Sequence, residues 1–411
     1  MRDRISRRRF LHVAGAGLAG ATLLGVTGCG GGGGGGGQGG GGGDEALKIG
    51  ALLSFTGTFA KLAESIRNGF DLFIKENDGQ LGGRPVEVLY EDDEGDPQVA
   101  LRGYRQLVDR DQVNLLVGPV SSTVALALVD QVNRDKQILI NPNAAANALS
   151  LDKKSDYIYR TSYSNYQLGT PGAAYIAENV GKTAVAIAPD YPAGLEVLPA
   201  FKAAYEEAGG TVVQELLPPL GNTDYATYLT QIKEAEPEVL WAFLAGADAI
   251  NFIKQYRSFG LGENIQFTGM NTWPDPLLTE TVGEAAEGII AATQWFPGLD
   301  NETNKRFVES YQAEYDETPN QFSVFGYDAG QLIAQGLEEA GSAEPEALIE
   351  ALKGVTFQSP RGEITIDPET NNPIQSYYMT RNVLEGGEIV PEVIEDLGEF
   401  PTPTENVPGS S

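Results

Sequence analysis

The stretch Val113–Asn133, VNLLVGPVSSTVALALVDQVN, places a strand pattern, a turn and a helix pattern directly after one another. Val113–Val117 is a short apolar run, which is typical of a strand that is buried on both faces. Gly118 and Pro119 interrupt the run, and apolar residues then recur at helical spacing. Since a strand, a turn and a helix in this order form the repeating unit of a parallel sheet, the stretch predicts an α/β fold.

The same unit recurs on both sides of this stretch, where apolar runs alternate with amphipathic helix patterns of about 10–15 residues. One helix pattern starts at Asp96-Pro97, where Asp is a favoured N-cap and Pro a favoured first helical residue. Two series of such units predict two doubly wound parallel-sheet lobes rather than one large sheet. The other predicted strands of these series are Leu47–Leu53, Val86–Tyr90, Ile138–Ile140, Thr183–Ala188, Thr211–Leu217, Val239–Leu244, Ile265–Thr268 and Gly288–Thr293.

The order of elements changes beyond residue 293. The patterns there predict helices at Asn301–Tyr315, Gln321–Ala340 and Pro345–Leu352 and short strands near Glu363–Ile366 and Gln375–Arg381. We expect this segment to cross back and cover the first lobe, because a doubly wound sheet needs helices on both faces.

The predicted limits of the lobes follow from this order. Residues 47–163 with 293–372 form the first lobe, and residues 164–292 with 373–398 form the second. Residues 399–411 hold three prolines and no apolar periodicity, so we expect a disordered tail there.

The N-terminal segment has the features of an export signal. Ser6–Leu11 reads SRRRFL, the pattern of a twin-arginine address, and a short apolar run follows that is too short to span a membrane. Val26-Thr27-Gly28-Cys29 fits the site at which bacterial lipoproteins are cut and lipidated, and Cys29 is the only cysteine of the chain. The sequence therefore predicts a signal peptide over 1–28, lipidation of Cys29 and a glycine-rich tether over 29–46 that spans roughly 20 Å.

The composition of the predicted mature chain excludes several function classes. After removal of residues 1–28 it has 23 basic and 56 acidic residues and a net charge of −33, which repels nucleic acid and anionic lipid headgroups. The only histidine, His12, lies in the signal peptide. Since the mature chain has neither a histidine nor a free thiol, we expect no cofactor, no metal and no enzyme of the usual proton-shuttling or thiol type.

Short motifs along the chain carry a resemblance to a known family. The motifs are Ile49-Gly50-Ala51, Thr56-Gly57, Glu91-Asp92-Asp93, Asp96-Pro97, Val117-Gly118-Pro119, Ser121-Ser122, Ile140-Asn141-Pro142, Tyr159-Arg160-Thr161, Asp190-Tyr191 and Tyr327-Asp328-Ala329. From about Leu47 to Arg381 the chain resembles the leucine–isoleucine–valine-binding family of substrate-binding proteins, which serve ABC importers. The resemblance implies a type I periplasmic binding fold of two α/β lobes, a hinge of three crossings and a ligand between the lobes. It also implies a membrane permease as partner, a monomer outside the cytoplasmic membrane and no enzymatic reaction.

The turn after Val117 is the predicted anion site. Ligands of open parallel sheets bind beyond the carboxyl ends of the strands, and a helix N-terminus presents free N–H groups and a positive dipole end. In the family this turn holds the ligand's carboxylate, which implies that role for Ser122, with Ser121 beside it. The backbone N–H groups of Asn143, Ala144 and Ala145, after the next strand, face the same anion. The alternative is that the two serines only cap the helix.

The chain departs from the amino-acid-binding pattern at several matched positions. Ala145 replaces a threonine, Ala193 and Ala247 stand near expected tyrosines, and Asn271 falls where the family has the acid that pairs with an ammonium. An ammonium without an anionic partner is costly to bury, so we expect a small carboxylate ligand with an aromatic or bulky apolar body. For each candidate wall residue the alternative is ordinary core packing. These wall residues are Leu62, Tyr191, Trp273, Phe325 and Tyr327, with Phe55 as a further aromatic candidate.

Two other functions remain open at this point. A ligand-sensing subunit of a membrane signalling system would use the same fold and cleft with a different docking partner. A secreted hydrolase that depends on carboxylates would need two acids facing each other across the cleft, and the matched positions offer Asn and Ala instead.

Export and anchoring are predicted to depend on Arg7, Arg8 and Cys29. Replacing both arginines by lysine should leave precursor in the cytoplasm, and Cys29→Ala should give a soluble or uncleaved protein because no lipid is attached. Cell fractionation measures both. A Cys29→Ala protein that still partitions with membranes after a high-salt wash would contradict lipidation.

Overall fold

The computed structural model describes residues 46–405 and 407–409, and its first elements build one parallel sheet. Asp96 caps the second helix as predicted, because its carboxylate accepts hydrogen bonds from the N–H groups of Gln98 and Val99. The sheet order is β2-β3-β1-β4-β5-β6, in which only the short β2 runs antiparallel to its neighbour. The elements are β1 (Leu47–Leu53), α1 (Ala60–Glu76), β2 (Gln80–Leu81), β3 (Arg84–Asp92), α2 (Pro97–Arg105), β4 (Leu115–Val117), α3 (Ser122–Asp135), β5 (Leu139–Asn141) and β6 (Ile158–Arg160).

The second series of elements builds a separate sheet. Its parallel part has the order β11-β10-β9-β7-β8, and the helices between the strands cover both faces. Within the described residues, no helix has both the length and the apolar character that a membrane crossing requires. The elements are α4 (Asn165–Gly169), α5 (Ala173–Asn179), β7 (Thr183–Ile187), α6 (Pro192–Glu207), β8 (Thr211–Leu216), α7 (Ala226–Ala235), β9 (Val239–Ala242), α8 (Gly246–Ser258), β10 (Gln266–Gly269), α9 (Pro276–Val282) and β11 (Ile290–Thr293).

The last third of the chain contributes to both sheets. Its three helices share a core with β1, β4 and β5, so they belong to the first lobe. The antiparallel β14 extends the second sheet beside β11, and β13 and β12 continue this sheet on the other side of β14. The elements are α10 (Glu302–Tyr315), α11 (Gln321–Ala340), α12 (Pro345–Leu352), β12 (Thr356–Ser359), β13 (Gly362–Ile366), β14 (Pro373–Glu385) and β15 (Glu388–Phe400).

Two glycines allow α11 to pack directly on α1. A Cβ atom on Gly69 would lie 1.8 Å from the carbonyl oxygen of Ser323, and one on Gly326 would lie 2.0 Å from that of Ile66. Because no side chain fits at such distances, the two helices can approach this closely only if positions 69 and 326 are both glycine. This contact ties the returning segment to the first lobe.

The end of the chain differs from the sequence-based expectation. Glu399 and Phe400 belong to β15, a 13-residue strand that pairs with β14 and was not predicted. Thr402 is buried, and its hydroxyl lies 2.9 Å from Ser164 Oγ and accepts a hydrogen bond from Asn372 Nδ2 at 2.7 Å. The expected disorder from residue 399 is therefore wrong for these residues, because tertiary hydrogen bonds fix a segment that has no apolar periodicity of its own.

A buried ion pair lies where the chain passes between the lobes. The side chains of Arg361 and Asp328 are fully buried, with Nη2 of the arginine 2.7 Å from a carboxylate oxygen. The same guanidinium donates to the carbonyl oxygens of Thr161, at 2.6 Å, and Ser162, at 3.3 Å. It also donates to the side chain of Gln375. One side chain thus joins α11, the connection from β6 to α4, and β14.

We predict that Arg361→Met lowers the free energy of unfolding by about 3–5 kcal/mol, because it leaves Asp328 buried without its partner. Urea denaturation measures the loss. The double variant Arg361→Met with Asp328→Leu should regain part of it, because no charge is then left unpaired.

The matched control for this prediction is Lys136→Met. Lys136 forms an exposed ion pair with Glu346, with 62% and 65% of the side chains exposed, so its loss should change the free energy of unfolding little. An Arg361→Met protein no less stable than this control would contradict the role of the buried pair.

Candidate functional site

A cavity lies between the lobes, beyond the carboxyl ends of the strands of both sheets. Its walls come mainly from the segments that directly follow β4, β5, β7, β9 and β10, which is where open α/β sheets bind ligands. About 30 Å³ is open to the centre of a water molecule, room for only a few waters, so the lobes lie close together here. The cavity residues are Phe59, Leu62, Val120, Ser122, Asn143, Ala145, Tyr163, Asn165, Leu168, Tyr191, Ala193, Phe243, Ala245, Met270, Thr272 and Phe322.

The N-terminus of α3 opens onto this cavity. Gly118 has a φ of +132°, and a Cβ atom there would lie 2.0 Å from the carbonyl oxygen of Leu52, so this turn requires glycine. The turn leads to the N-cap Ser121, whose side chain makes no capping hydrogen bond. The first N–H groups of the 14-residue helix have no intrahelical acceptor. The serines therefore do not cap the helix by their hydroxyls, and the end of α3 keeps donors for an anion.

The turn after β5 offers fewer donors than predicted. The N–H of Asn143 donates to Asn141 Oδ1 at 3.1 Å, and the N–H of Ala144 donates to the carbonyl oxygen of Pro119 at 3.3 Å. Among the described residues the N–H of Ala145 has no acceptor. Of the three predicted N–H donors, Ala145 alone is thus left for a ligand, because the other two hold the turn together.

The walls of the cavity are neutral. None of the cavity residues has a charged side chain, and the two tyrosines among them keep their protons, because burial raises the pKa of Tyr163 and of Tyr191. Tyr191 packs obliquely on Phe59 across the cleft, with ring centroids 6.5 Å apart. The described residues contain no group of three or more His, Cys, Asp and Glu side chains placed to hold a metal ion. The cavity therefore combines a helix N-terminus with apolar and aromatic surface and has no counterion for a cation.

A wider opening, which we call the vestibule, adjoins the cavity and shares Thr272 and Phe322 with it. About 350 Å³ of it is open to the centre of a water molecule. Its carboxyl groups are Glu64, Asp275, Glu280 and Glu317, and its one lysine, Lys61, is paired with Glu64 at 2.6 Å. The other lining residues are Gly57, Thr58, Ala60, Ser65, Asn68, Gly246, Ala247, Ile250, Pro276, Leu277, Leu278, Thr281, Thr318 and Asn320.

Asp275 is a vestibule carboxyl that lies three residues after the cavity residue Thr272. It is buried and accepts hydrogen bonds from the N–H groups of Gln321, at 2.8 Å, and Leu277, at 3.0 Å. Burial raises the pKa of Asp275 to about 7, although these hydrogen bonds oppose the shift. The carboxyl caps α9 rather than facing the cavity.

Comparison with known proteins identifies the family. The family described as periplasmic binding protein matches residues 46–388. The chain belongs to this family. The match confirms the resemblance inferred from the motifs and the fold of two α/β lobes. Membership in the periplasmic binding proteins also implies a place outside the cytoplasmic membrane.

Individual relatives of this periplasmic binding protein are solute-binding proteins. The Leu/Ile/Val-binding protein homolog 6 of Brucella melitensis is 29% identical over 342 residues, which cover 82% of this chain and 87% of the relative. The solute-binding protein of an ABC transporter from R. palustris, solved with benzoate, is 31% identical with a TM-score of 0.82, covering 89% of this chain and 99% of that one. A second, from Rhodopseudomonas palustris BisB5, was solved with 3,4-dihydroxybenzoic acid; it is 30% identical, with the same TM-score and coverage.

The structure brings about half of the predicted site residues together. Those that line the cavity are Leu62, Ser122, Asn143, Ala145, Tyr191 and Ala193. Ser121 and Ala144 are buried beside it without lining it, and Ala247 is exposed in the vestibule. Asn271 also lies outside the cavity lining, because its side chain donates to Gln294 and its carbonyl oxygen accepts a hydrogen bond from Gln321.

Three predicted aromatic walls belong to the cores instead. Trp273 is fully buried in the second lobe, and its indole N–H donates to the carbonyl oxygen of Ala242 at 2.7 Å. Tyr327 packs on Phe73 in the first lobe. Phe325 lies behind the cavity, in edge contact with Tyr163. The prediction that these three rings line the ligand site is not supported by their positions, since each is used in packing.

Other cavity residues were missed by the sequence interpretation. Val120, Phe243, Ala245, Met270 and Thr272 directly follow β4, β9 and β10, so the rule that ligands bind beyond strand ends could have found them. Phe59, Leu168 and Phe322 carry no such signal. Tyr163 and Asn165 come from the connection between the lobes, and only the fold brings them to the site.

Proposed function

We propose that this periplasmic binding protein is the capture subunit of an ABC importer and that its ligand is a small aromatic carboxylate. The observation that carries the proposal is the neutral cavity with a helix N-terminus at one end. The ligand's carboxylate binds at the start of α3, and its ring lies among the apolar and aromatic cavity residues. No bond is made or broken.

The anion end of the proposed site consists of the Ser122 hydroxyl, the first N–H groups of α3 and the N–H of Ala145. These donors replace the water around a carboxylate without adding a full positive charge. Most of the remaining cavity residues are apolar or aromatic, which suits an aromatic ring, and the other polar side chains are those of Asn143, Asn165 and Thr272. Solved relatives of about 30% identity that hold benzoate or 3,4-dihydroxybenzoic acid support this ligand class.

An α-amino acid fits the same cavity poorly. Its ammonium would need a carboxylate, and none of the cavity residues has one. The nearby Asp275 is committed to the N-terminus of α9. Leaving the ammonium unpaired would cost several kcal/mol, which removes much of the roughly 8 kcal/mol of a micromolar affinity.

Binding requires movement of the lobes. The cavity is smaller than any aromatic acid, so the lobes open to admit the ligand and close on it by rotation at the hinge. Closure follows if the ligand binds the closed form better than the open one, and a monomer in the closed form then docks on the permease. The lipid on Cys29 and the glycine-rich tether, which lie outside the described residues, would keep the protein near the permease.

The ligand class is tested with two aromatic acids and with pairs of acids that differ only in the ammonium group. We expect benzoate and 4-hydroxybenzoate to raise the melting temperature, since a ligand at 100 times its dissociation constant stabilises by about 2.7 kcal/mol. We also expect 3-phenylpropanoate to bind more tightly than L-phenylalanine, and 4-methylpentanoate more tightly than leucine. Thermal-shift screening with calorimetry measures both. A shift with leucine and none with the aromatic acids would contradict the proposal.

The anion end is tested by Ser122→Ala. Loss of a hydrogen bond to a charged group typically costs about 1.5–3 kcal/mol, so the dissociation constant of benzoate should rise roughly tenfold or more. The matched control is Ser121→Ala, because that neighbour has the same side chain and does not line the cavity. Equal effects of the two variants on calorimetric binding would argue against a direct role for Ser122.

A further inference from the structure

Thr272 has a buried hydroxyl group without a partner. The residue is 5% exposed, and its Oγ1 forms no hydrogen bond within the described residues. A buried polar atom without a partner destabilises the protein and is uncommon in folded proteins. Thr272 lines both the cavity and the vestibule, so this hydroxyl lies at the boundary between them.

The backbone at Thr272 is held in place by a separate contact. Met270, two residues earlier, places its sulfur 3.2 Å from the backbone N–H of Thr272, so this N–H is occupied and the turn is fixed. Phe322, the other residue shared by the cavity and the vestibule, is apolar. The hydroxyl is thus held beside the ligand space.

A second unpartnered atom, Asn165 Oδ1, also belongs to a cavity residue. The amide nitrogen of Asn165 donates to Glu196 at 2.7 Å, which fixes the orientation of the amide. The backbone N–H of Asn165 donates to the carbonyl oxygen of Ala145 at 2.7 Å, so the residue lies at the anion end of the cavity. The ligand's carboxylate is proposed to bind at that end, so the ring lies elsewhere in the cavity. Asn165 Oδ1 is therefore not placed to accept a hydrogen bond from a group on the ring.

We propose that Thr272 Oγ1 hydrogen-bonds a hydroxyl group on the ring of the ligand, so that the preferred substrate is a hydroxylated aromatic carboxylate. This inference rests on the proposed function. Ser122 belongs to the first lobe and Thr272 to the second, and a ligand that contacts both bridges the cleft. Such a ligand stabilises the closed form in particular.

The charge around the site sets the direction of the ligand. Glu64, Asp275, Glu280 and Glu317 line the vestibule on the side of Thr272, while α3 presents its N-terminus on the side of Ser122. A carboxylate is therefore favoured at Ser122 and disfavoured at Thr272. A neutral hydroxyl group satisfies Thr272 without like-charge repulsion.

The test measures the affinities of benzoate, 3-hydroxybenzoate and 4-hydroxybenzoate by calorimetry. We expect the native protein to bind one of the hydroxybenzoates about three- to tenfold more tightly than benzoate. Thr272→Val, which keeps the shape, should abolish this preference and leave the dissociation constant of benzoate within about twofold. Thr272→Ser, which keeps the hydroxyl, should retain the preference.

The matched control is Thr281→Val on the rim of the vestibule. The Thr281 hydroxyl is exposed and already donates to the carbonyl oxygen of Leu277 at 3.1 Å, so this variant should bind all three acids as the native protein does. Equal binding of benzoate and both hydroxybenzoates to the native protein would overturn the inference and leave the proposed function intact. A preference that survives in Thr272→Val would overturn it too, because the preference would then not depend on the Thr272 hydroxyl. Failure of every aromatic acid to bind would overturn both proposals.

Discussion

The pairing of the buried charges on Arg361 and Asp328 is the constraint on which the arrangement of the lobes depends. Neither group can lose its partner without leaving a charge in the protein interior, so α11 and the turn before β13 are held together. The same guanidinium binds the carbonyl oxygens of Thr161 and Ser162, where the chain first leaves the first lobe. This cluster therefore helps to fix how the two sheets lie relative to each other. The cavity lies beyond the carboxyl ends of their strands, so its shape depends on the same contacts.

The hinge around this cluster is built from hydrogen bonds rather than from apolar packing alone. Gln167 donates to the carbonyl oxygen of Pro373 at 2.9 Å, and Thr402 contacts both Ser164 and Asn372. The C-terminal segment therefore belongs to the hinge and does not merely follow the second lobe. Directional bonds of this kind define a few stable arrangements of the two lobes.

Because the protein is acidic, the proposed binding of an anion requires a local source of positive potential. The chain has a net charge of −29, and the vestibule adds four carboxyl groups near the cavity. Screening limits the repulsion from distant charges, because the Debye length is about 8 Å at physiological ionic strength. Within the cavity the N–H groups at the start of α3 supply the favourable field, and the absence of lysine and arginine among the cavity residues leaves room for an apolar ring.

The sequence by itself determined most of the strands and helices and the turn that leads into α3. These features depend on local patterns: apolar runs, an Asp-Pro start such as Asp96-Pro97, and a glycine turn before Ser122.

Only the tertiary structure decided which aromatic rings line the cavity. Trp273 and Tyr191 both follow strands of the second lobe, yet one packs in the core and the other faces the cleft. Sequence spacing does not distinguish them, because the face that a side chain presents depends on neighbours such as Ala242 and Phe59, which are distant in the chain. The sequence did not predict β15, Tyr163, Asn165 or the burial of Thr402 for the same reason. Their partners come together only when the chain has crossed between the lobes.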